Sequence, residues 1–323
     1  EGGEFIFITP RSFSSGNYFK TFRNFFFFSV RLDYIHLFVS RKETFERDNV
    51  LQETIIMKGQ KNFDAEKNNV VTITSSKSAD DLEKCKIKAY NYKELIDLSS
   101  KEKILHTPIS DFEEKIFKLF KNWNSRLQDY DLQISTGPVV AHRAVNFIRD
   151  TEEPGSVPLF WLHNVNKMEV NPLNQKPNKG QYIQLVQKSL SILVKNRDYI
   201  FLRRFSSKDD KSRLIASPYF KDSIDAKLIG IENKLNYIYK KNGEFQKNEL
   251  IGLAALLNSD LFDSYFRTFN GNINVSATEL REMPFPTEEE IKKIGDNLLE
   301  LNNFTSEAIN DEVNNFFGIK HFF

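Results

Sequence analysis

Apolar positions fall along this chain in two rhythms. Glu4-Phe5-Ile6-Phe7-Ile8-Thr9-Pro10 is an unbroken aromatic and β-branched run between Gly-Gly and proline, the pattern of a central strand covered on both faces. Asn17 to Phe28 carries charge on one side and Phe on the other, as a helix lying on a sheet would. Val30 to Phe38, Leu51 to Lys58 and Val70 to Thr74 read as strands, with a charged loop from Ser40 to Asp48. Asp111 to Trp123 predicts an amphipathic helix with Phe112, Ile116, Leu119, Phe120 and Trp123 on one face. Strand, helix and strand in this order indicate an α/β sheet.

The texture changes after Thr151-Glu152-Glu153-Pro154-Gly155-Ser156, a polar segment with adjacent Pro and Gly where we place a boundary between residues 1–153 and 154–323. Asn171 to Gly180 has loop composition, and Tyr199 to Leu202 reads as a strand. Leu250 to Leu257 and Ser259 to Phe269 predict two helices parted near Asn258, followed by a turn at Asn270-Gly271-Asn272. Thr287 to Leu301 predicts a helix with Thr287 as N-cap and three glutamates in its first turn, where the helix dipole favours acids.

With 323 residues, 40% hydrophobic and 28% charged, the composition is globular and two domains long. No stretch reaches the roughly 20 apolar residues of a membrane span, the densest being Phe25 to Phe28. The one cysteine, Cys85, excludes internal disulfides and thiolate zinc clusters and suggests a reducing, cytoplasmic setting. A net charge of +1 means that an anionic partner must be held by a local patch. The chain opens on Gly-Gly and then a buried-strand pattern, as if it began in the middle of a fold.

Nucleotide and hydrolase fingerprints are absent, and the five histidines are too scattered for a close metal pair, so no metal site is expected. Glu113-Glu114-Lys115 has nuclease-like Glu-x-Lys spacing, but it sits in a helical pattern where that spacing arises by chance. The densest feature is Lys195 to Arg213, where Lys195, Arg197, Arg203, Arg204, Lys208, Lys211 and Arg213 face only three Asp, with Ser206, Ser207 and Ser212 adding hydroxyls. Charge and hydroxyls suit phosphate contacts, and a solvated turn compensated by Asp209 and Asp210 fits equally. Asn233, Asn236, Asn258, Asn270, Asn272 and Asn274 crowd the region that follows; Asn can read adenine, and is also an ordinary turn residue.

Several blocks resemble N6-adenine DNA methyltransferases of restriction–modification systems. Gly2-Gly3-Glu4-Phe5-Ile6-Phe7-Ile8-Thr9-Pro10-Arg11-Ser12-Phe13 is similar to the strand that follows the catalytic motif in that family. The resemblance continues through Tyr34 to Arg41, Val50 to Glu53, Ser135 to Val140, Arg203 to Lys208, Leu256 to Ser259, Tyr265 to Arg267, Asn270 to Asn272 and Ala277 to Pro284. Together they span nearly the whole chain in the order of the TaqI-like, gamma-type enzymes, nearest to the PstI/BsuBI-type branch.

The resemblance implies the distal half of a class I methyltransferase sheet over residues 1–153, then an α+β target-recognition domain over 154–323. It also implies departures. The glycine loop that holds S-adenosylmethionine and the Asn-Pro-Pro-Tyr-type motif that holds the flipped adenine have no counterpart, the one Asn-Pro being Asn171-Pro172 followed by Leu173. No catalytic residue is therefore expected in this chain. S-adenosylmethionine would bind only the complete enzyme, and methyl transfer would need an N-terminal half, on the same or a separate chain. The family's second stacking aromatic is missing from Ile134 to Val140, leaving Thr136 and Gly137 near the base pocket.

By the same resemblance, Arg203, Arg204, Ser206, Ser207, Lys208, Lys211 and Arg213 would contact double-stranded DNA. Asn270, Asn272, Asn274, Thr278 and Arg281 would form a second polar constellation, serving base contact or fastening the domains. Arg41 and Gln52 would support the fold. A cognate restriction endonuclease is the implied counterpart, and no membrane is. A stand-alone DNA-binding specificity module and a decayed, non-catalytic remnant are the alternatives, and an uncovered edge beside Phe5 to Ile8 would invite pairing with another chain.

Overall fold

The computed structural model describes residues 2–39, 53–61, 68–77, 80–172, 174, 176, 179–206, 211–272 and 274–319. The loop expected at Ser40 to Asp48 lies outside them, as do Arg41 and Gln52. The chain divides into two compact units, Glu1–Asn122 with Ser264–Asn272, and Trp123–Asp263 with Ile273–Phe323.

In the first unit, α1 (Lys20–Ser29) turns Phe26 and Phe27 inward while Phe22, Phe25 and Phe28 stay at the surface, as a 3.6-residue period dictates. It runs directly into β2 (Val30–Phe38). With β1 (Glu4–Pro10), β3 (Thr54–Lys61), β4 (Val70–Ser76) and β5 (Lys86–Asn91), β2 forms a sheet of order β1-β3-β2-β4-β5. β3 is antiparallel to both β1 and β2, so those two run the same way, and β4 pairs parallel with β2. Gly59 allows the close approach in β3: a Cβ there would lie 2.3 Å from the Arg31 carbonyl oxygen. Leu32, Ile35, Leu37, Ile55, Met57, Val71 and Ile73 fill the core under α1 and the short helix α2 (Tyr92–Leu95).

β1 corrects the expectation of a central strand. It is an edge strand with Ile6, Phe7 and Ile8 exposed at 69%, 48% and 58%. An unbroken apolar run shows that both faces suit burial, but not that this chain supplies the cover. The first unit supplies it in part, through Phe5, whose ring lies 5.8 Å from that of Phe26.

Helix α3 (Asp111–Lys121) is capped by Ser110, whose side chain accepts from the Glu113 backbone N–H. It buries Ile116, Phe117 and Phe120; the expected face held Leu119 in place of Phe117. Tyr265, from the returning segment of this unit, stacks on Phe120 at 3.8 Å. Arg11 holds that segment by donating to the Arg267 and Thr268 carbonyls at 2.8 and 2.7 Å.

The second unit is built on two sheets. One, of order β14-β13-β16-β6, joins β6 (Leu132–Thr136), β13 (Tyr199–Arg203), β14 (Ala216–Tyr219) and β16 (Leu235–Lys240), all antiparallel. The other, of order β12-β15-β8-β11-β7, joins β7 (Ile148–Arg149), β8 (Ser156–Phe160), β11 (Tyr182–Gln184), β12 (Leu193–Lys195) and β15 (Leu228–Ile231). Phe160, Tyr199, Phe201, Tyr219, Ile229, Ile231 and Leu235 form a shared core, and β9 (Val165–Asn166) with β10 (Glu169–Val170) makes a small ribbon. The segment Thr151 to Ser156 lies within this unit, in the turn between β7 and β8, with Gly155 at φ 76°.

Helices α4 (Lys247–Asn258) and α5 (Asp260–Arg267) part at Ser259, next to the expected break, and α5 carries the chain across the division between units. Helices α6 (Ala277–Glu282), α7 (Glu288–Leu301) and α8 (Ser306–Phe316) complete the fold. Thr287 caps α7 as expected, accepting from the Glu290 N–H at 3.3 Å. α4 and α7 cross at Gly252 and Gly295, where a Cβ would lie 1.9 Å from the Ile291 and Asn248 carbonyl oxygens respectively.

Candidate nucleic-acid interface

β6 ends at Thr136, and the chain then passes under the β15–β16 turn. Only glycine fits next: a Cβ on Gly137 would lie 2.3 Å from the Glu232 carbonyl oxygen and 2.5 Å from that of Ile231. The Gly137 N–H donates to Leu235 O at 2.8 Å, Val139 N–H to Ile231 O at 3.0 Å, and Asn233 N–H to Val139 O at 2.9 Å. The Thr136 hydroxyl donates to Asn236 Oδ1 at 2.9 Å, and buried Asn236 Nδ2 donates to Val275 O at 2.9 Å. Val275 N–H in turn donates to Arg204 O at 2.7 Å. This line of bonds brings Thr136 and Gly137 together with the end of β13 and the segment after residue 273.

The sequence cluster does not form one face; its members do different work. Arg203 donates from Nε to Val165 O at 2.6 Å and from Nη2 to Asn166 Oδ1 at 3.0 Å, fastening β9 to β13. Arg213 is 4% exposed and donates to the hydroxyl of Ser206, itself 5% exposed, while the backbone N–H groups of Arg213 and Leu214 donate to Asp263 Oδ1. A guanidinium buried on a serine serves the interior rather than a phosphate at the surface. Arg197 lies 4.3 Å over the Tyr239 ring and donates to Lys240 O at 3.0 Å. Lys195 and Lys211 are the exposed members among the described residues, and half-buried Arg204 sits beside Phe205 while donating to Asn233 O at 3.2 Å. Ser207 and Lys208 lie outside the described residues.

The second constellation is divided between the units. Asn270, 3% exposed, and Asn272, whose Nδ2 donates to Ser12 O at 3.4 Å, belong to the first. Asn274, Thr278 and Arg281 belong to the second. Asn274 pairs its backbone with Phe205, and Thr278 is half-buried in the first turn of α6. Arg281 donates to Ile134 O at 2.8 Å and lines a cavity of about 300 Å³ with Gln128, Leu132, Gln133 and Ser135.

Three lysines passed over by the sequence analysis meet in this region. Lys179 places Nζ 4.4 Å over the ring of Trp161, whose indole N–H donates to Gly180 O at 2.8 Å. Lys176 pairs with Lys179 across a backbone bridge. Lys234 stands exposed in the β15–β16 turn, its carbonyl accepting from Arg204 N–H at 2.9 Å. Burial, then the charges of Lys176, Lys179 and Arg203 among other effects, hold the His163 pKa below its ordinary value. Glu232, 2% exposed beneath this group, has its carboxyl pKa raised by burial, against the pull of Lys234 and Lys179. In sequence Lys176 and Lys179 looked like loop composition, and no linear spacing joins them to Lys234.

The Glu-x-Lys pattern is structural. Glu113 belongs to the cap of α3, and Glu114 pairs with Lys88 and Lys118, each at 2.7 Å. Among the described residues no three His, Cys, Asp or Glu are grouped to hold a metal, and no helix is long and apolar enough to cross a membrane.

No protein-family model matches the chain. It resembles the type IIG restriction endonuclease BpuSI (TM-score 0.40, 12% identity, 99% of this chain and 47% of that one) and the type IIL restriction-modification enzyme MmeI solved with DNA (0.49, 11%, 98% and 47%). It is 34% identical over 299 residues to the type II methyltransferase M.BsuBI of Bacillus subtilis, covering 91% of this chain and 58% of that protein. It is 32% identical over 313 residues to the type II methyltransferase M.PstI of Providencia stuartii, covering 97% of this chain and 61% of that protein. Relatives that match most of this chain are thus type II methyltransferases, of whose own length it spans about six-tenths.

Proposed function

We propose that this chain is the part of a site-specific adenine-N6 DNA methyltransferase, in a restriction–modification system, that carries DNA target recognition. The observation behind the reading is the 32–34% identity to type II methyltransferases across 91–97% of the chain. In this reading residues 1–153 carry the distal end of a class I methyltransferase sheet. β1 and β2 running the same way with a reversed β3 between them supports it. Residues 154–323 then select the DNA site. Methyl transfer from S-adenosylmethionine requires residues beyond these 323, and the exposed edge of β1 is where the rest of a sheet would pair. That edge favours the reading over a stand-alone binding module.

The residues present do not fit the methyl donor. Ligands of open α/β sheets bind beyond the carboxyl ends of the strands. After β1 that place is closed from within: Arg23 is fully buried and donates to the carbonyls of Phe13, Ser15, Gly16 and Glu102. The chain's own contribution is to hold duplex DNA and position it, in the cytoplasm, on the site shared with a cognate endonuclease.

Site selection tests the reading. The purified chain is mixed with a pool of random duplexes, and the retained DNA is sequenced. One short adenine-containing site should be enriched; recovery of all sequences alike would overturn the proposal.

A further inference from the structure

We propose that Lys176, Lys179, Arg204 and Lys234 form a phosphate track around the β15–β16 turn, holding the DNA backbone next to the Thr136–Gly137 segment. The inference rests on the DNA-recognition reading and goes beyond it by naming the surface and the group it grips.

Three observations converge. First, among the described residues none of these four cations makes an ion pair, whereas Lys88, Lys118, Lys221, Lys240 and Lys292 are each held by a carboxylate. The acid on which Lys234 and Lys179 both act is spent inside the fold: Glu232 is buried and accepts from the Lys234 backbone N–H at 3.2 Å, so it offers little surface charge. Positive charges gathered without an ion pair among the described residues set up the field that attracts a polyanion.

Second, Lys179, Arg204 and the Lys234 backbone are held in place. Lys179 rests on Trp161, whose indole N–H pins Gly180. Gly180 packs directly against β7, where a Cβ would lie 2.4 Å from Ile148 Cγ2 and 2.6 Å from Arg149 O. Arg204 and Lys234 are cross-tied: Arg204 N–H donates to Lys234 O, and Arg204 Nη1 to Asn233 O. Preorganised cations lose less entropy when they meet a phosphate.

Third, the track adjoins the segment next to which the target base is expected. Glu232 pairs with Val139 through a backbone bridge, and Gly137 packs on the Glu232 carbonyl. Cations there would grip the phosphates flanking an extruded nucleotide, where a hold on the backbone offsets the cost of unstacking. The shared field at His163 fits this picture, since Lys176, Lys179 and Arg203 all act on it.

The test is the salt dependence of duplex binding by the full chain and by a K176Q/K179Q/K234Q variant. Its fold is checked by the urea midpoint of tryptophan fluorescence, since Trp123 and Trp161 both lie in the second unit. Each phosphate contact contributes a slope of about −0.9, hence a factor of about 3.5 between 50 and 200 mM salt. Removing three should shrink the wild-type affinity ratio between those salts by roughly 40-fold, and equally on every duplex sequence. A control K188Q/K195Q/K241Q variant, which removes exposed lysines elsewhere in the unit, should keep the wild-type slope. A triple variant with wild-type slope overturns the track while leaving DNA recognition standing. So does a changed sequence preference at unchanged slope, or an equal loss in the control. No binding by the wild-type chain would bring down the recognition reading, and this inference with it.

Discussion

Replacing Gly137 by alanine probes the seam between β6 and the β15–β16 turn. The new Cβ would meet Glu232 O at 2.3 Å, Ile231 O at 2.5 Å and Glu232 C at 2.7 Å. Ordinary contacts need about 1 Å more, and the obstacles are backbone atoms that cannot rotate aside. The turn must therefore shift by about 1 Å. That strains the bonds of Val139 N–H to Ile231 O, Asn233 N–H to Val139 O and Glu232 N–H to Phe160 O, now at 3.0, 2.9 and 2.9 Å. Overpacking costs about 1–3 kcal/mol and each weakened bond up to about 1 kcal/mol, against about 0.4–1 kcal/mol regained by stiffening the unfolded chain. The expected net loss is about 2–3 kcal/mol. With a urea m-value of about 2–3 kcal/mol/M, the midpoint of tryptophan fluorescence should fall by about 1 M. An unchanged midpoint would refute the reasoning, because the chain would then have room where none is seen.

Other perturbations separate further roles. Arg213→Ala should lower the stability of the second unit by about 1.5–3 kcal/mol by removing a buried charge-assisted bond to Ser206, yet leave the salt slope of DNA binding unchanged; a reduced slope would return Arg213 to the phosphate contacts. Gly252→Ala drives a Cβ to 1.9 Å from Ile291 O and should cost at least about 2 kcal/mol in the same urea assay. In the first unit His106, packed against Phe117, Tyr265 and Phe269, has its pKa lowered to about 3 by burial and then by Lys121 and Arg11. The fold favours the neutral ring, so its contribution is complete above about pH 6.5 and is lost as pH falls toward 3. One proton sets a ceiling of about 1.4 kcal/mol per pH unit, and the surface His106 keeps lowers the slope below it; His106→Gln should flatten stability between pH 7 and pH 4.5, and an unflattened profile would count against it. The open edge of β1 should let the chain self-associate in light scattering, with Ile8→Lys shifting it to monomer; a strictly monomeric wild type would contradict this.

The elements written in local pattern were legible. β2 has the expected bounds, α1 and α3 stand within three residues of theirs, and Thr287 caps α7 through a bond that sequence spacing implies. What needed long-range partners was not. The apolar run of β1 could not reveal an edge, because burial depends on neighbours. The Lys195 to Arg213 cluster looked like one patch because charge density is counted along the chain. The fold sends Arg203 to β9 and Arg213 into the interior, and replaces them at the surface with Lys179 and Lys234, from 24 residues before and 21 after each respectively. The family resemblance puts Gly137 near the base pocket, but the reason a glycine stands there, the carbonyl of a residue 95 positions later, exists only in three dimensions.

The most direct test of the central claim is binding of the purified 323-residue chain to a mixed-sequence labelled duplex at about 50 and about 200 mM salt. The account predicts binding at the lower salt that weakens steeply at the higher, as a surface gripping several phosphates requires. Absence of binding at both, or an affinity indifferent to salt, would contradict it.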